Sequence, residues 1–501
     1  MRPRPARLVI ACGILAAPPL HARDAPPPPI EAVRDEIRAN YDRARTDAHA
    51  PGVVYGVVKD GELVVVEGLG VRDTASARPV DADTRFRIAS MSKAFTALAI
   101  LHLRDQGRIA LDAPAVRYIP QLASWKLPTR DARPITVADL LHHQAGLATD
   151  DPWGDRQQVL SEGDFTALIA SGVDFASAPG VRMEYSNYGY ALLGRIVTNV
   201  SGQPYQQYIR ETIMLPLGMM ATGYDVLAGP QETRALGYRW QDERWVREPD
   251  MRDGAFGAMG GVETTARDYA RWIAFLLSAW PPRDEPDDGP VRRVTVRELV
   301  GLVSYMPPIE RAKELGPPCR QSIGYGAGLR VIGDCELGRV LTHGGGYPGY
   351  GSNMLLLPEA GVGAFVFTNK TYTGLGTANF NALLILRRAG AIPDRPLPVS
   401  VALARAYALA KRAWVAGSLD GLPLAGNVAL DKDLPRRARE LAEIKRQVGE
   451  CPLTEAIAPV TAMEGRFTWA CAGGSVTGRV LRAPTADFQL QVLDFAATPR
   501  E

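Results

Sequence analysis

RIASMSKAFTALAI, Arg87 to Ile100, places Ser90, Ser92 and Lys93 at the head of an Ala-rich, otherwise apolar segment. Its apolar spacing predicts a helix, with residues i and i+3 on one face. That puts Ser90 beside Lys93 and turns Ser92 away. Lysine is scarce in this chain, eight residues against 49 arginines. Arginine stays protonated in proteins, whereas a buried lysine can lose its proton and act as a base. A serine with a titratable lysine beside it, near the free N–H groups of a helix start, has the minimum equipment for acyl transfer. The competing reading of the same stretch is a helix-capping serine followed by a solvated charge.

Two further segments carry groups suited to the same chemistry. MEYSNYGYALLG sets Tyr185, Ser186 and Asn187 at a strand-to-helix junction after the Pro179-Gly180 turn. Tyr185 could relay a proton and Asn187 could hold a substrate amide. VLTHGGGYPGYG ends an apolar strand in His343-Gly344-Gly345-Gly346, where glycines let a ligand approach backbone N–H groups. Alone, each segment also reads as ordinary structure: a buried tyrosine with an Asn cap, or a glycine turn with one histidine.

Taken in order and spacing, Ser-x-x-Lys at 90–93, Tyr-x-Asn at 185–187 and His-x-Gly at 343–345 resemble the three motifs of the serine β-lactamase and penicillin-binding protein superfamily. The branch they are most similar to holds class C β-lactamases, D-Ala-D-Ala carboxypeptidases, D-aminopeptidases and related esterases. LLHHQAGL from Leu140, LPLGM from Leu215, GGVETTARDYARW from Gly260 and LPEAGVGAFVFTN from Leu357 extend the likeness over about residues 35–390. The resemblance implies Ser90 as acylated nucleophile, Lys93 as its base partner, and Tyr185 as the group that shuttles a proton to the leaving group and helps activate water. It implies substrate contacts at Asn187, His343 and Gly345, and an oxyanion hole from the backbone N–H groups of Ser90 and Gly346. Which of Lys93 and Tyr185 is the operative base stays open. His142 and His143 match a motif position that looks structural, and neither is given a chemical role. No cofactor is implied. One departure stands out: His343-Gly344-Gly345 replaces the Lys-Thr-Gly of class C β-lactamases, trading a fixed positive charge for a mostly neutral ring. That favours a peptidase or esterase over a true β-lactamase. The alternative of another class is a catalytically idle member serving as a scaffold or cell-wall sensor.

The rest of the chain fits an α+β fold. GVVYGVVKDGELVVVEGLG, Gly52 to Gly70, reads as a β-hairpin turning at Asp60-Gly61. The middle, Ser90 to about Leu277, is mainly helical, with Thr265 and Asp268 as a capping pair. Strands return between Gly324 and Lys370. The simplest solution is one antiparallel sheet joined from both ends of the segment, flanked by helices, with an inserted helical lobe. The hydrolase domain is expected over 30–395. After the Pro-rich stretch Ala391 to Ser400, residues 396–501 read as a small appended α+β domain of unknown role.

At the N-terminus, three arginines precede an apolar run from Leu8 to Leu20, and Leu20-His21-Ala22 offers a cleavage site. This is the pattern of a secretory signal over 1–22, followed by a linker over 23–29 containing Pro26 to Pro29. Anchoring through Cys12 is not favoured, because the apolar stretch before it is only a few residues long. Cleavage removes three Arg and no acid, taking the formal charge from +2 to −1. That charge gives no support to nucleic-acid binding or to a charged membrane surface. Export to the periplasm or beyond makes Cys319, Cys335, Cys451 and Cys471 disulfide candidates, with sequence-local pairing expected. There is no G-x-S-x-G elbow, H-E-x-x-H or Walker loop. The expected ligand is a small molecule or short, cell-wall-derived peptide.

Overall fold

The computed structural model describes residues 30–227 and 229–500, so the signal, the linker and Cys12 lie outside the described residues. Helix α1 (Arg34–Asp47) leads into strand β1 (Gly52–Lys59), and β2 (Glu62–Asp73) returns beside it. Asp60 and Gly61 both take positive φ, 52° and 89°, the geometry a tight antiparallel turn demands. After β3 (Arg78–Pro79) the chain leaves the sheet for the helical region, which carries α2 (Lys93–Asp105), α3 (Asn187–Ser201) and α4 (Ala266–Leu277). It re-enters as β4 (Ser304–Glu310), β5 (Arg320–Tyr325), β6 (Arg330–Asp334), β7 (Gly338–Tyr347), β8 (Tyr350–Leu357) and β9 (Val362–Thr368), then closes with α5 (Gly376–Arg388).

The nine strands form one antiparallel sheet in the order β3-β2-β1-β9-β8-β7-β6-β5-β4. The first strand therefore pairs with the last, Val53 opposite Thr368, as expected for a sheet built from both ends of the chain. Side chains alternate across β1. Val53, Tyr55 and Val57 join α1 and α5 in one apolar layer, while Val54 and Val58 face α2 and α4 in the other. Helix α2 is buried almost all round, and Phe95 stacks on Trp272 of α4 at 3.9 Å. Burying Phe95, Leu98, Ile100 and Leu103 stabilises its position by roughly 1.5–3 kcal/mol each.

Two features depart from expectation. The sheet has two more strands, β4 and β5, than the stretch from Gly324 announces. Strand β4 contains Pro307 and Pro308, which cannot donate to a ladder, and it is tolerated because it lies at the sheet edge. The helical region also carries a small hairpin, Tyr238–Gln241 with Arg244–Arg247.

Beyond Ser400, helices Val401–Ala416, Gly426–Asp431 and Leu434–Val448 pack on a four-stranded sheet. Their contacts form a third apolar cluster that includes Leu403, Trp414, Phe467 and Trp469. Disulfides join Cys319 to Cys335 and Cys451 to Cys471, the sequence-local pairing. No described helix is long and apolar enough to cross a membrane.

Candidate active site

Ser90 sits in a single 3-10 turn, Ala89–Ser92, that runs straight into α2. Ala89 holds φ at +48°, a left-handed conformation that costs a non-glycine residue about 1–2 kcal/mol. The turn is fixed from both sides. The Ile88 N–H donates to Val262 O, the Val262 N–H donates to Ser92 Oγ at 3.0 Å, and Ser352 Oγ donates to Ile88 O at 2.8 Å. Ser92 is thus a structural tie, and Ser90 makes no helix cap.

Lys93 is fully buried, and its Nζ lies 3.0 Å from Ser90 Oγ, 2.7 Å from Asn187 Oδ1 and 2.7 Å from Met259 O. Burial pulls its pKa down to about 8, against the opposing charges of Asp151, Asp155 and Asp150. A neutral amine has two N–H bonds and one lone pair. Asn187 Oδ1 and Met259 O can only accept, so they take the two N–H bonds and direct the lone pair at Ser90 Oγ.

Tyr185 covers this pair. Lys93 Nζ lies 4.9 Å from the centre of its ring, and its hydroxyl faces the Ser90 side chain. Burial, with Tyr325 and Asp151 nearby, pushes that hydroxyl well above the ordinary tyrosine range, so it stays protonated. Asn187 begins α3, where Ser186 caps the Gly189 N–H. The Asn187 amide is engaged at both ends, accepting from Lys93 and donating from Nδ2 to Asp151 Oδ1 at 2.9 Å.

His343 approaches from β7, buried, with its ring 6.3 Å from that of Tyr185. Its Nδ1–H donates to Gly344 O at 2.6 Å and its Nε2 accepts from the Tyr325 hydroxyl at 3.0 Å. Burial, then the charges of Arg330 and Lys93, hold its pKa well below the usual histidine range. Gly345 presses against the turn that carries Ser90; a β-carbon there would lie 2.3 Å from Ile88 O. Gly346 pairs with Gly351 one position inside the Tyr347–Tyr350 turn. Bonded pairs alternate along an antiparallel ladder, so the Gly346 N–H points away from β8. The structure therefore brings Ser90, Lys93, Tyr185 and Asn187 into direct contact. His343, Gly345 and Gly346 flank them from β7, with both nitrogens of His343 already engaged.

Other residues in the site lie outside the three motifs. Asp150 accepts the first N–H groups of α3, Asn187 at 2.7 Å and Tyr188 at 2.9 Å. Asp151 holds the Asn187 amide. Asp155 is buried, its pKa raised by that burial to about 6, and accepts from the Tyr372 hydroxyl at 2.8 Å. This bond ties the 150–158 segment to the loop after β9. Arg330 lies on β6 opposite Thr342, next to His343 in the chain, with its Nε buried and without a hydrogen-bond partner. Its charge reaches His343, Tyr185 and Lys93. Acids in a polar loop and one arginine among 49 carry no distinguishing sequence signal. Among the described residues, no group of three or more His, Cys, Asp or Glu is placed to hold a metal ion.

The chain is similar to known proteins. Protein Rv1367c of Mycobacterium tuberculosis is 32% identical over 321 residues, 59% of this chain and 78% of the relative. The D-alanyl-D-alanine-carboxypeptidase/endopeptidase AmpH of Escherichia coli K12 is 29% identical over 340 residues, 65% of this chain and 83% of the relative. The octameric penicillin-binding protein homologue from Pyrococcus abyssi shares the fold, with a TM-score of 0.59 at 21% identity over 92% of this chain and 99% of that one. Residues 37–387 match the model of the Beta-lactamase family. With that match spanning most of the chain, the protein belongs to the beta-lactamase family.

Proposed function

We propose that this protein is an exported serine hydrolase that works through an acyl-enzyme on Ser90, with peptides ending in a D-amino acid and related esters as its substrates. The observation that carries the reading is the buried Lys93, whose neutral lone pair the surrounding acceptors aim at Ser90 Oγ. Lys93 takes the Ser90 proton as Oγ bonds to the carbonyl carbon. The backbone N–H groups of Ser90 and Gly346 receive the developing oxyanion. Tyr185 gives its proton to the leaving nitrogen or oxygen as that bond breaks, and recovers one from Lys93. Water then attacks the ester carbonyl, losing its proton to the same pair and returning the serine.

Arg330 supports a carboxylate on the leaving side, because it supplies beside the third motif the fixed charge that neutral His343 lacks. The name of the AmpH relative points to D-alanyl peptides over β-lactams. The two disulfides and the N-terminal pattern support export.

The test is hydrolysis of a short-chain p-nitrophenyl ester by the mature protein against Ser90→Ala, with both shown to be folded by circular dichroism. Turnover should fall to background in the variant, and D-Ala-D-Ala peptides and penicillins then rank the substrates. Equal turnover in both proteins would overturn the assignment of Ser90.

A further inference from the structure

His143 has no part in the chemistry above, yet it touches the second motif directly and reaches the other two through Tyr190 and Tyr325. It follows the short helix Val137–Leu141 with φ at +54°, which turns its imidazole inward, where it is buried. The ring lies 4.4 Å from that of Tyr185, 5.0 Å from Tyr190 and 4.5 Å from Tyr325. Tyr325 in turn bonds His343, and the Tyr190 ring lies 5.6 Å from Lys93 Nζ.

The backbone on either side of Tyr185 is tied to the same residue. The Glu184 N–H donates to His143 O at 2.8 Å, and the Ser186 N–H donates to His143 Nδ1 at 3.1 Å. An accepting Nδ1 places the ring proton on Nε2. Burial, followed by the charge of Lys93, holds the pKa well below the usual range, so the ring stays neutral and Nδ1 stays an acceptor. Tyr185 is held by one bond before it, one bond after it and a ring against its own.

We propose that His143 is a positioning residue for Tyr185, fixing the phenol where it can hand a proton to the leaving group. The inference rests on the acyl-enzyme reading above. It makes a prediction that a purely structural role does not. p-Nitrophenolate leaves readily without a proton, whereas an alkoxide or an amide nitrogen does not. Misplacing Tyr185 should therefore slow acylation selectively for poor leaving groups.

The experiment compares a p-nitrophenyl ester with a methyl ester of the same acyl group, in wild type, Tyr185→Phe, His143→Phe and His143→Asn, with melting temperatures alongside. His143→Phe keeps the ring and loses the acceptor. His143→Asn keeps an acceptor and tolerates the left-handed backbone. His143→Phe should lose at least about tenfold in kcat/KM, which reports acylation, on the methyl ester and less than about threefold on the p-nitrophenyl ester, the pattern of Tyr185→Phe. The double variant with Tyr185→Phe should lose nothing further. His143→Asn should show the same selectivity to a smaller extent, and it keeps the test valid if the phenylalanine variant fails to fold. Equal losses on both esters, no loss, or additive losses in the double variant would overturn the positioning role. Turnover that survives Ser90→Ala would instead remove the acyl-enzyme reading itself.

Discussion

Gly345 and Ile88 meet backbone to backbone: a β-carbon on Gly345 would stand 2.3 Å from Ile88 O. The same position lies 2.3 Å from Ser352 Oγ and 3.0 Å from Ala89 Cβ; the serine hydroxyl could rotate away, but the Ile88 oxygen is backbone and can yield only if the turn itself moves. Strand β7 is thereby set directly on the turn that aims Ser90. Gly345→Ala should push them apart, lowering stability by about 1–3 kcal/mol and reducing kcat more than it raises KM. Melting curves and steady-state kinetics check this; unchanged kcat would mean that the contact does not set the geometry of Ser90.

Lys93 has to be neutral to take the proton of Ser90, and its pKa is about 8. Acylation should therefore rise with pH through a midpoint near 8 and level off above it. Lys93→Met should lose about 10²–10⁴-fold in the acylation rate. Stopped-flow acylation across pH 6–10 reads both effects. A flat profile across that range would remove Lys93 as the base and leave Tyr185 in its place.

The same depressed pKa makes Lys93 a cost to the fold. Below pH 8 both native and unfolded chains hold the proton, and the burial penalty is fully present. Between 8 and the unfolded value of 10.5 the unfolded chain keeps a proton that the native chain has shed, so stability rises with pH. Relative to Lys93→Met, wild type should gain up to on the order of 3 kcal/mol of unfolding free energy across that interval. Denaturant unfolding of both proteins at pH 7.5 and pH 10 measures the difference; a stability difference between them that stays constant, or that moves against wild type at pH 10, would contradict the burial argument.

What the sequence makes legible follows from which physics is local. The hairpin at Asp60-Gly61, the Ser90–Lys93 spacing and the cysteine pairs depend on neighbours in the chain, and the structure has all of them. Strand β4 is hidden because Pro307 and Pro308 argue against a strand until its edge position is known. The left-handed Ala89 cannot be read at all, since alanine has no preference for that backbone and it is held by tertiary partners, Val262, Ser352 and Gly345, that are distant in the chain. Asp150, Asp151 and Asp155 belong to a polar stretch that sequence places no closer than the rim of the cleft. Their importance comes from what folds beside them: the start of α3, the Asn187 amide and Tyr372. His143 is the subtler case, because its motif reads as structural and only its contacts on both sides of Tyr185 reveal what it holds.

Asp155 acts on the site in two separable ways. Its carboxylate is one of the charges that raise the Lys93 pKa, and it also bonds Tyr372 across the cleft. Asp155→Asn keeps an oxygen to accept from the Tyr372 hydroxyl but removes the charge. Neutral Lys93 is then favoured, and the midpoint of the acylation profile should move to lower pH. Tyr372→Phe keeps the charge and breaks the bond, so the midpoint should stay in place. Tyr372 also packs against Gly346, where a β-carbon would lie 2.6 Å from its ring. Freeing that ring should therefore change KM and the range of accepted acyl groups. The pH profiles of the two variants, measured on one ester, decide the matter. A midpoint that moves upward in Asp155→Asn, or one that moves in Tyr372→Phe, would show that the 150–158 segment controls Lys93 through its position and not through its charge.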